Sequence, residues 1–173
     1  MIIIGGGVDK GSFTEQEFTD QVENNLNFFE TGILRRLLNE SSKGLNSCIE
    51  IVPTASKIPD VVGGEYAKAF RFLGVENVNV LNIKNRGECS SIEMLDRVKK
   101  ADIVFFTGGD QLRLTSIIGG TKLQELLLSK YMNETFMYAG TSAGAACVSN
   151  QMIYQGSSSE ALLKGEIKIT SGL

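Results

Sequence analysis

The chain has no histidine among its 173 residues. Histidine is the usual proton acceptor for a serine or cysteine nucleophile, so an orthodox triad cannot be assembled from these residues alone. A serine hydrolase without one is either unorthodox or incomplete. Cysteine is scarce: Cys48, Cys89 and Cys147 are odd in number and widely scattered. That argues against a disulfide framework or a zinc site, and for reduced, mostly buried thiols in a cytoplasmic protein. Basic clusters are missing and the net charge is −3, which makes nucleic acid an unsuitable partner. No apolar run approaches the ~20 residues of a membrane span. The opening residues lack a basic segment and a long apolar core, so neither a membrane partner nor a signal peptide is indicated. No cofactor and no metal are expected.

What is present is a soluble composition, 42% hydrophobic and 21% charged, in a length suited to one domain spanning 1–173. Residues 1–4 form a β-branched run, read as a central strand and stopped by Gly5-Gly6-Gly7. A dinucleotide-binding loop would need a further glycine where Lys10 stands, and no acidic residue closes a second strand in the expected place. Residues 13–25 are polar and acidic, a surface loop or helical turn. A helix is predicted over 27–41, with Ile33, Leu34, Leu37 and Leu38 inward and Gly44 as its stop. Strands follow at 48–52, closed by Pro53, and at 78–83. Between them a helix over 66–73 ends at Gly74.

A helix over 91–99 turns Ile92, Leu95 and Val98 inward. Residues 102–106 are the most hydrophobic strand and the expected centre of the sheet. A helix over 121–131 buries Leu123, Leu126, Leu127 and Tyr131, and 135–139 form the fifth strand. This alternation predicts an α/β fold: a doubly wound, mostly parallel sheet with helices on both faces. Short strands at 152–155 and 166–170 read as a C-terminal antiparallel, hairpin-like excursion, and the domain looks unfinished there.

In parallel sheets ligands gather at the carboxyl ends of the strands. Three glycine-rich breaks fall there: 5–7, 108–109 and 140–144. The last is Gly140-Thr141-Ser142-Ala143-Gly144, a strand followed by Gly-x-Ser-x-Gly and small residues able to open a helix. In that setting Ser142 is forced outward on a tight turn as a nucleophile, with helix N–H groups aimed at what it attacks. The plainer reading is a glycine- and alanine-rich turn packed for steric reasons. The Ala143 N–H follows the serine, and the Gly109 N–H is a second potential oxyanion donor. Gln111 offers a donor and an acceptor to a substrate amide or carboxylate, or else simply faces solvent in a first helical turn. Cys147 lies beyond the elbow and does not fit a cysteine nucleophile. Glu160 is near in sequence, but a lone carboxylate is a poor base for serine.

Four segments together resemble the cyanophycinase-like branch of peptidase family S51. They are Gly5-Gly6-Gly7 with Asp9-Lys10, Ile51-Val52-Pro53-Thr54-Ala55-Ser56, Phe106-Thr107-Gly108-Gly109-Asp110-Gln111-Leu112-Arg113, and Gly140-Thr141-Ser142-Ala143-Gly144-Ala145-Ala146. Their order and separation fit over essentially the whole chain. The resemblance implies a class I glutamine-amidotransferase-like fold, a homodimer, and a serine exopeptidase that cleaves the β-linked aspartyl-arginine polymer cyanophycin to a β-Asp-Arg dipeptide. It assigns Ser142 as nucleophile, Gly109 and Ala143 as oxyanion donors, and Gln111 with Asp110 as substrate-binding residues. The family supplies its histidine base, glutamate and several arginines from a segment beyond the equivalent of Leu173. The expectation is therefore a truncated member whose nucleophile is present and whose base is not, inactive as it stands. The alternative is a non-catalytic module that binds small peptides on the same fold.

Overall fold

The computed structural model of the protein describes residues 1–6, 8, 10, 30–155 and 168–173. Gly7, Asp9, the acidic stretch 13–25, the start of the predicted 27–41 helix, Glu160 and residues 166–167 of the last predicted strand lie outside the described residues. Five strands form one parallel sheet: β1 (Ile2–Ile4), β2 (Ile49–Val52), β3 (Val78–Val80), β4 (Ile103–Phe106) and β5 (Met137–Thr141). Their spatial order is β1-β5-β4-β2-β3. The most hydrophobic strand is the middle one, with β4 fully buried from Ile103 to Phe106.

The helices are α1 (Ile33–Glu40), α2 (Pro59–Phe72), α3 (Ile92–Lys100), α4 (Gln111–Ile118), α5 (Lys122–Asn133) and the four-residue α6 (Ala143–Ala146). Helices α1 and α2 pack through Leu34, Leu37, Tyr66 and Phe70 onto the face carrying Ile49, Ile51, Ile103 and Phe105. Helices α3 to α6 pack through Val98, Leu114, Leu127 and Ala143 onto the opposite face, with Val52, Val104, Phe106 and Tyr138. The division follows from the strand order. From β1 through β2 to β3 the chain moves one way across the sheet, and from β3 to β5 it moves back. Right-handed crossovers in opposite directions place their helices on opposite faces. The fold is doubly wound, as the alternation predicts. Strands β6 (Met152–Gln155) and β7 (Lys168–Thr170) pair antiparallel in a separate ribbon.

Several expectations need correction. Strand β1 lies at an edge, not the centre; among the described residues it pairs only with β5, and Ile3 is 51% exposed. A β-branched run reports fitness for a pleated strand, not rank within the sheet. Ile33 and Ile92, expected inward, are exposed, and Tyr131 is partly so. In α3 the inward stripe is Met94, Leu95 and Val98. At about 100° per residue Ile92 falls about 60° beyond Leu95, outside the stripe's edge. Gly44 does not stop α1, which ends at Glu40; it begins a short 3₁₀ turn at positive φ. Helix α2 starts earlier than its apolar periodicity shows, with Pro59 in its first turn. Periodicity gives no separate helix for α4, which is set by its cap.

Candidate active site

The carboxyl ends of β1 and β5 and the turn after β4 meet at Ser142. Strand β5 runs two residues past its predicted end, through Gly140 to Thr141. The chain then turns sharply, and Ser142 takes φ 51° and ψ −109° at the N-cap of α6. Among the described residues it is the one non-glycine residue with positive φ. Such a conformation costs of order 1–3 kcal/mol and persists only where the surroundings dictate it. Here they do. The Ser142 N–H donates to the Ile4 carbonyl at 3.0 Å, and its own carbonyl accepts from the N–H groups of Ala145 and Ala146 at 3.0 and 2.8 Å. The Thr141 hydroxyl donates to the Gly5 carbonyl at 2.9 Å, stitching the turn to the end of β1. The side chain of Ser142 is exposed.

The flanking glycines are sterically required. A Cβ on Gly140 would lie 2.3 Å from the Gly144 carbonyl oxygen, and one on Gly144 would lie 2.5 Å from that of Phe106. A Cβ on Gly108 would stand 3.3 Å from the Ser142 Cβ, so this glycine leaves the serine its space. Gly109 has φ 144°, and a Cβ there would meet the Ala55 carbonyl oxygen at 2.1 Å. The turns after β2, β4 and β5 thus touch in sequence. Among the described residues neither the Gly109 nor the Ala143 N–H is taken by a protein acceptor.

Asp110 is the N-cap of α4: its carboxylate accepts from the N–H groups of Leu112 and Arg113 at 2.9 and 3.1 Å. Its role in the fold is therefore to start this helix. Gln111 is not simply solvated. Its side-chain amide donates to the Ile153 carbonyl of β6 at 2.9 Å, leaving its oxygen to other partners. Cys147 is fully buried at the end of α6, with its thiol 3.3 Å from both the Tyr138 hydroxyl and the Gly144 carbonyl. Burial pushes this thiol up, against the opposing effect of its hydrogen bond with Tyr138, which makes it unsuited to be a thiolate nucleophile. Lys10, which breaks the dinucleotide pattern, pairs with Glu65 at 2.6 Å and lies over the Tyr66 ring. Burial also holds the Tyr66 phenol above its ordinary range, with Glu65 adding to the effect and the Thr141 hydroxyl opposing it.

Two contributors escape the sequence reading. Arg113 reaches back so that its Nε donates to the Thr54 carbonyl at 2.9 Å. The Tyr138 hydroxyl donates to the Gly144 carbonyl from beneath the turn. Arg113 stands in a quoted motif, but neither side chain carries a signal of its partner. Among the described residues no group of three or more cysteine, aspartate or glutamate side chains is placed to hold a metal ion.

The sequence model of peptidase family S51 matches residues 12–166. The chain belongs to peptidase family S51. It is 36% identical over 125 residues to the cyanophycinase of Trichormus variabilis, covering 72% of this chain and 42% of that protein. To the cyanophycinase of Synechococcus elongatus it is 36% identical over 130 residues, covering 75% of this chain and 40% of that one. The chain thus spans about two fifths of the length of the curated relatives it matches. A solved structure of a peptidase from an acI-B1 Actinobacterium superimposes with a TM-score of 0.63 at 22% identity, over 80% of this chain and 55% of that one. The two chains share a fold. No helix among the described residues is long and apolar enough to cross a membrane.

Proposed function

We propose that the site is that of a cyanophycinase-type serine peptidase acting on β-aspartyl peptides such as β-Asp-Arg. Ser142 is its nucleophile, and the Gly109 and Ala143 N–H groups are its oxyanion donors. Gln111 contacts substrate through its free oxygen, and Asp110 acts by holding the first turn of α4. The observation that carries this reading is the strained, exposed Ser142 beside Gly108. Energy stored at a single exposed hydroxyl, in a turn that small residues keep open, is what a positioned nucleophile requires. The oxyanion formed on attack would be met by helix and loop N–H groups.

The 173 residues hold no histidine, so on this reading they do not turn substrate over without an outside base. A serine hydroxyl with no base is weakly nucleophilic, and loss of one triad member costs on the order of 10⁴–10⁶ in rate. The remaining expectations are proposals of the same kind: a single domain over 1–173, a cytoplasmic setting and a homodimer. Three free cysteines, two of them buried, support a reducing compartment.

The test is chemical rescue. β-Asp-Arg should bind and hydrolyse negligibly, and added imidazole should produce slow hydrolysis that Ser142→Ala abolishes. Imidazole-dependent hydrolysis unaffected by Ser142→Ala would overturn the assignment. Binding with no Ser142-dependent turnover at any imidazole concentration would instead establish the peptide-binding module. That second reading is favoured by one observation, the absence of histidine from the 173 residues.

A further inference from the structure

The turn after β2 and the turn after β4 are stapled together beside Ser142. Thr54 and Ala55 are both essentially inaccessible, at 1% and 0% exposure. The Thr54 hydroxyl donates to the Ile83 carbonyl at 3.0 Å, and the Ser56 N–H closes the turn onto the Pro53 carbonyl at 2.9 Å. From the other side, Arg113 donates through Nε to the Thr54 carbonyl at 2.9 Å. The next carbonyl, that of Ala55, accepts the Asp110 N–H at 2.8 Å. That same oxygen occupies the space where a Cβ of Gly109 would be.

We propose that Arg113 is a positioning residue for the Gly109 N–H. The peptide between Gly109 and Asp110 is held by the Ala55 carbonyl. With that peptide fixed, the preceding peptide, which carries the Gly109 N–H, can turn only about the two backbone bonds at the Gly109 Cα, where φ stands at 144°. Glycine alone would not hold it, because glycine occupies both signs of φ readily. The Ala55 carbonyl holds it, and the planar guanidinium of Arg113 fixes the adjacent Thr54 carbonyl in place. Arg113 sits one turn into α4, whose start is fixed by Asp110. The cap, the arginine and the buried turn therefore form one rigid unit with the donor at its tip. This inference rests on the reading of Gly109 as an oxyanion donor, and adds what keeps that donor aimed.

Two measurements on the 173-residue chain separate the inference from that reading. The first is the amide resonance of Gly109 by NMR. In Arg113→Ala its shift should move and its hydrogen exchange accelerate about 10-fold, with the amide of Gly63 in α2 as the unaffected control, and Arg113→Lys should not restore it, because a methylene replaces the Nε donor. An unchanged Gly109 resonance in Arg113→Ala would overturn the proposal. The second is affinity, measured with imidazole present, for a β-aspartyl boronic acid, whose boron bonds the serine oxygen as the hydroxyl proton passes to imidazole, against affinity for the β-Asp-Arg dipeptide. Arg113→Ala should weaken the boronate by about 10-fold or more, as expected for a displaced oxyanion donor, and leave dipeptide binding unchanged. Equal losses for both ligands would overturn it by showing a general structural role. A shifted Gly109 resonance in a protein whose wild type takes no boronate would uphold the staple and end the hydrolase reading instead.

Discussion

The hydroxyl of Tyr138 donates to the carbonyl of Gly144 at 2.6 Å, wholly inside the protein. Tyr138 sits on β5, its ring stacks on Phe106 at 4.9 Å, and its oxygen supports the short helix that begins at Ser142. Helix α6 is too short to satisfy its own carbonyls, so the strand supplies a donor from below. Tyr138→Phe removes that donor and leaves the buried Gly144 carbonyl only the weak thiol of Cys147 as a side-chain partner. The expected cost is about 1–3 kcal/mol in urea unfolding. A variant as stable as the wild type would show that water reaches Gly144.

Ser142→Gly should make the protein more stable. The strain at φ 51° is of order 1–3 kcal/mol for a side-chain-bearing residue. Glycine removes it, against about 0.5–1 kcal/mol of added chain entropy in the unfolded state. The net gain should be about 1 kcal/mol. Ser142→Ala, which keeps a Cβ, should change stability by less than about 0.5 kcal/mol. Equal effects of the two substitutions would mean that the backbone at Ser142 is relaxed.

Alkaline pH should loosen the region beneath the turn. Burial raises Tyr138 above its ordinary 10.0 and Cys147 above its ordinary 9.0. A raised folded-state value means that the unfolded chain releases its proton first. The contribution to stability is therefore complete below about pH 9 and declines as the pH passes 9 and then 10. Tm should fall from pH 8 to pH 10.5, and fall less in the double variant Tyr138→Phe/Cys147→Ala. An identical slope in that variant would place the titration elsewhere.

The sheet, the double winding and the antiparallel ribbon were legible because apolar runs, helical periods and glycine punctuation are local signals. Gly140 and Gly144 were legible for the same reason, since a turn this tight admits few residue types. The edge position of β1 was not, because rank in a sheet depends on which strands arrive later. Ile92 misled because its place at the start of α3 lets it look like part of the apolar stripe. Arg113 and Tyr138 were invisible as partners: both bond to backbone carbonyls far away in sequence or masked by the fold, and carbonyls have no residue signature. Gln111 was legible as a polar group near the site but not as a partner of β6.

Glu50 interrupts the apolar strand β2 with a carboxylate only 2% exposed. Arg97 of α3 answers it with two bonds, Nε to Oε1 at 3.2 Å and a terminal nitrogen to Oε2 at 2.5 Å, and also donates to the Val80 carbonyl. Arg97→Met should cost about 3–5 kcal/mol because it strands a buried charge. Glu50→Leu/Arg97→Met should recover most of that loss. Chemical denaturation of the three proteins decides this. A double variant as weak as the single one would show that Arg97 acts through Val80 and packing alone.

The bond from Gln111 to Ile153 ties the first turn of α4 to the antiparallel ribbon. One amide proton is spent on the β6 carbonyl, while the second proton and the side-chain oxygen stay unspent. The bond removes rotational freedom from a long side chain before any ligand arrives, so that ordering cost is already met within the fold. Gln111 is thus a preset bracket: its remaining donor and acceptor face outward at an angle that β6 dictates.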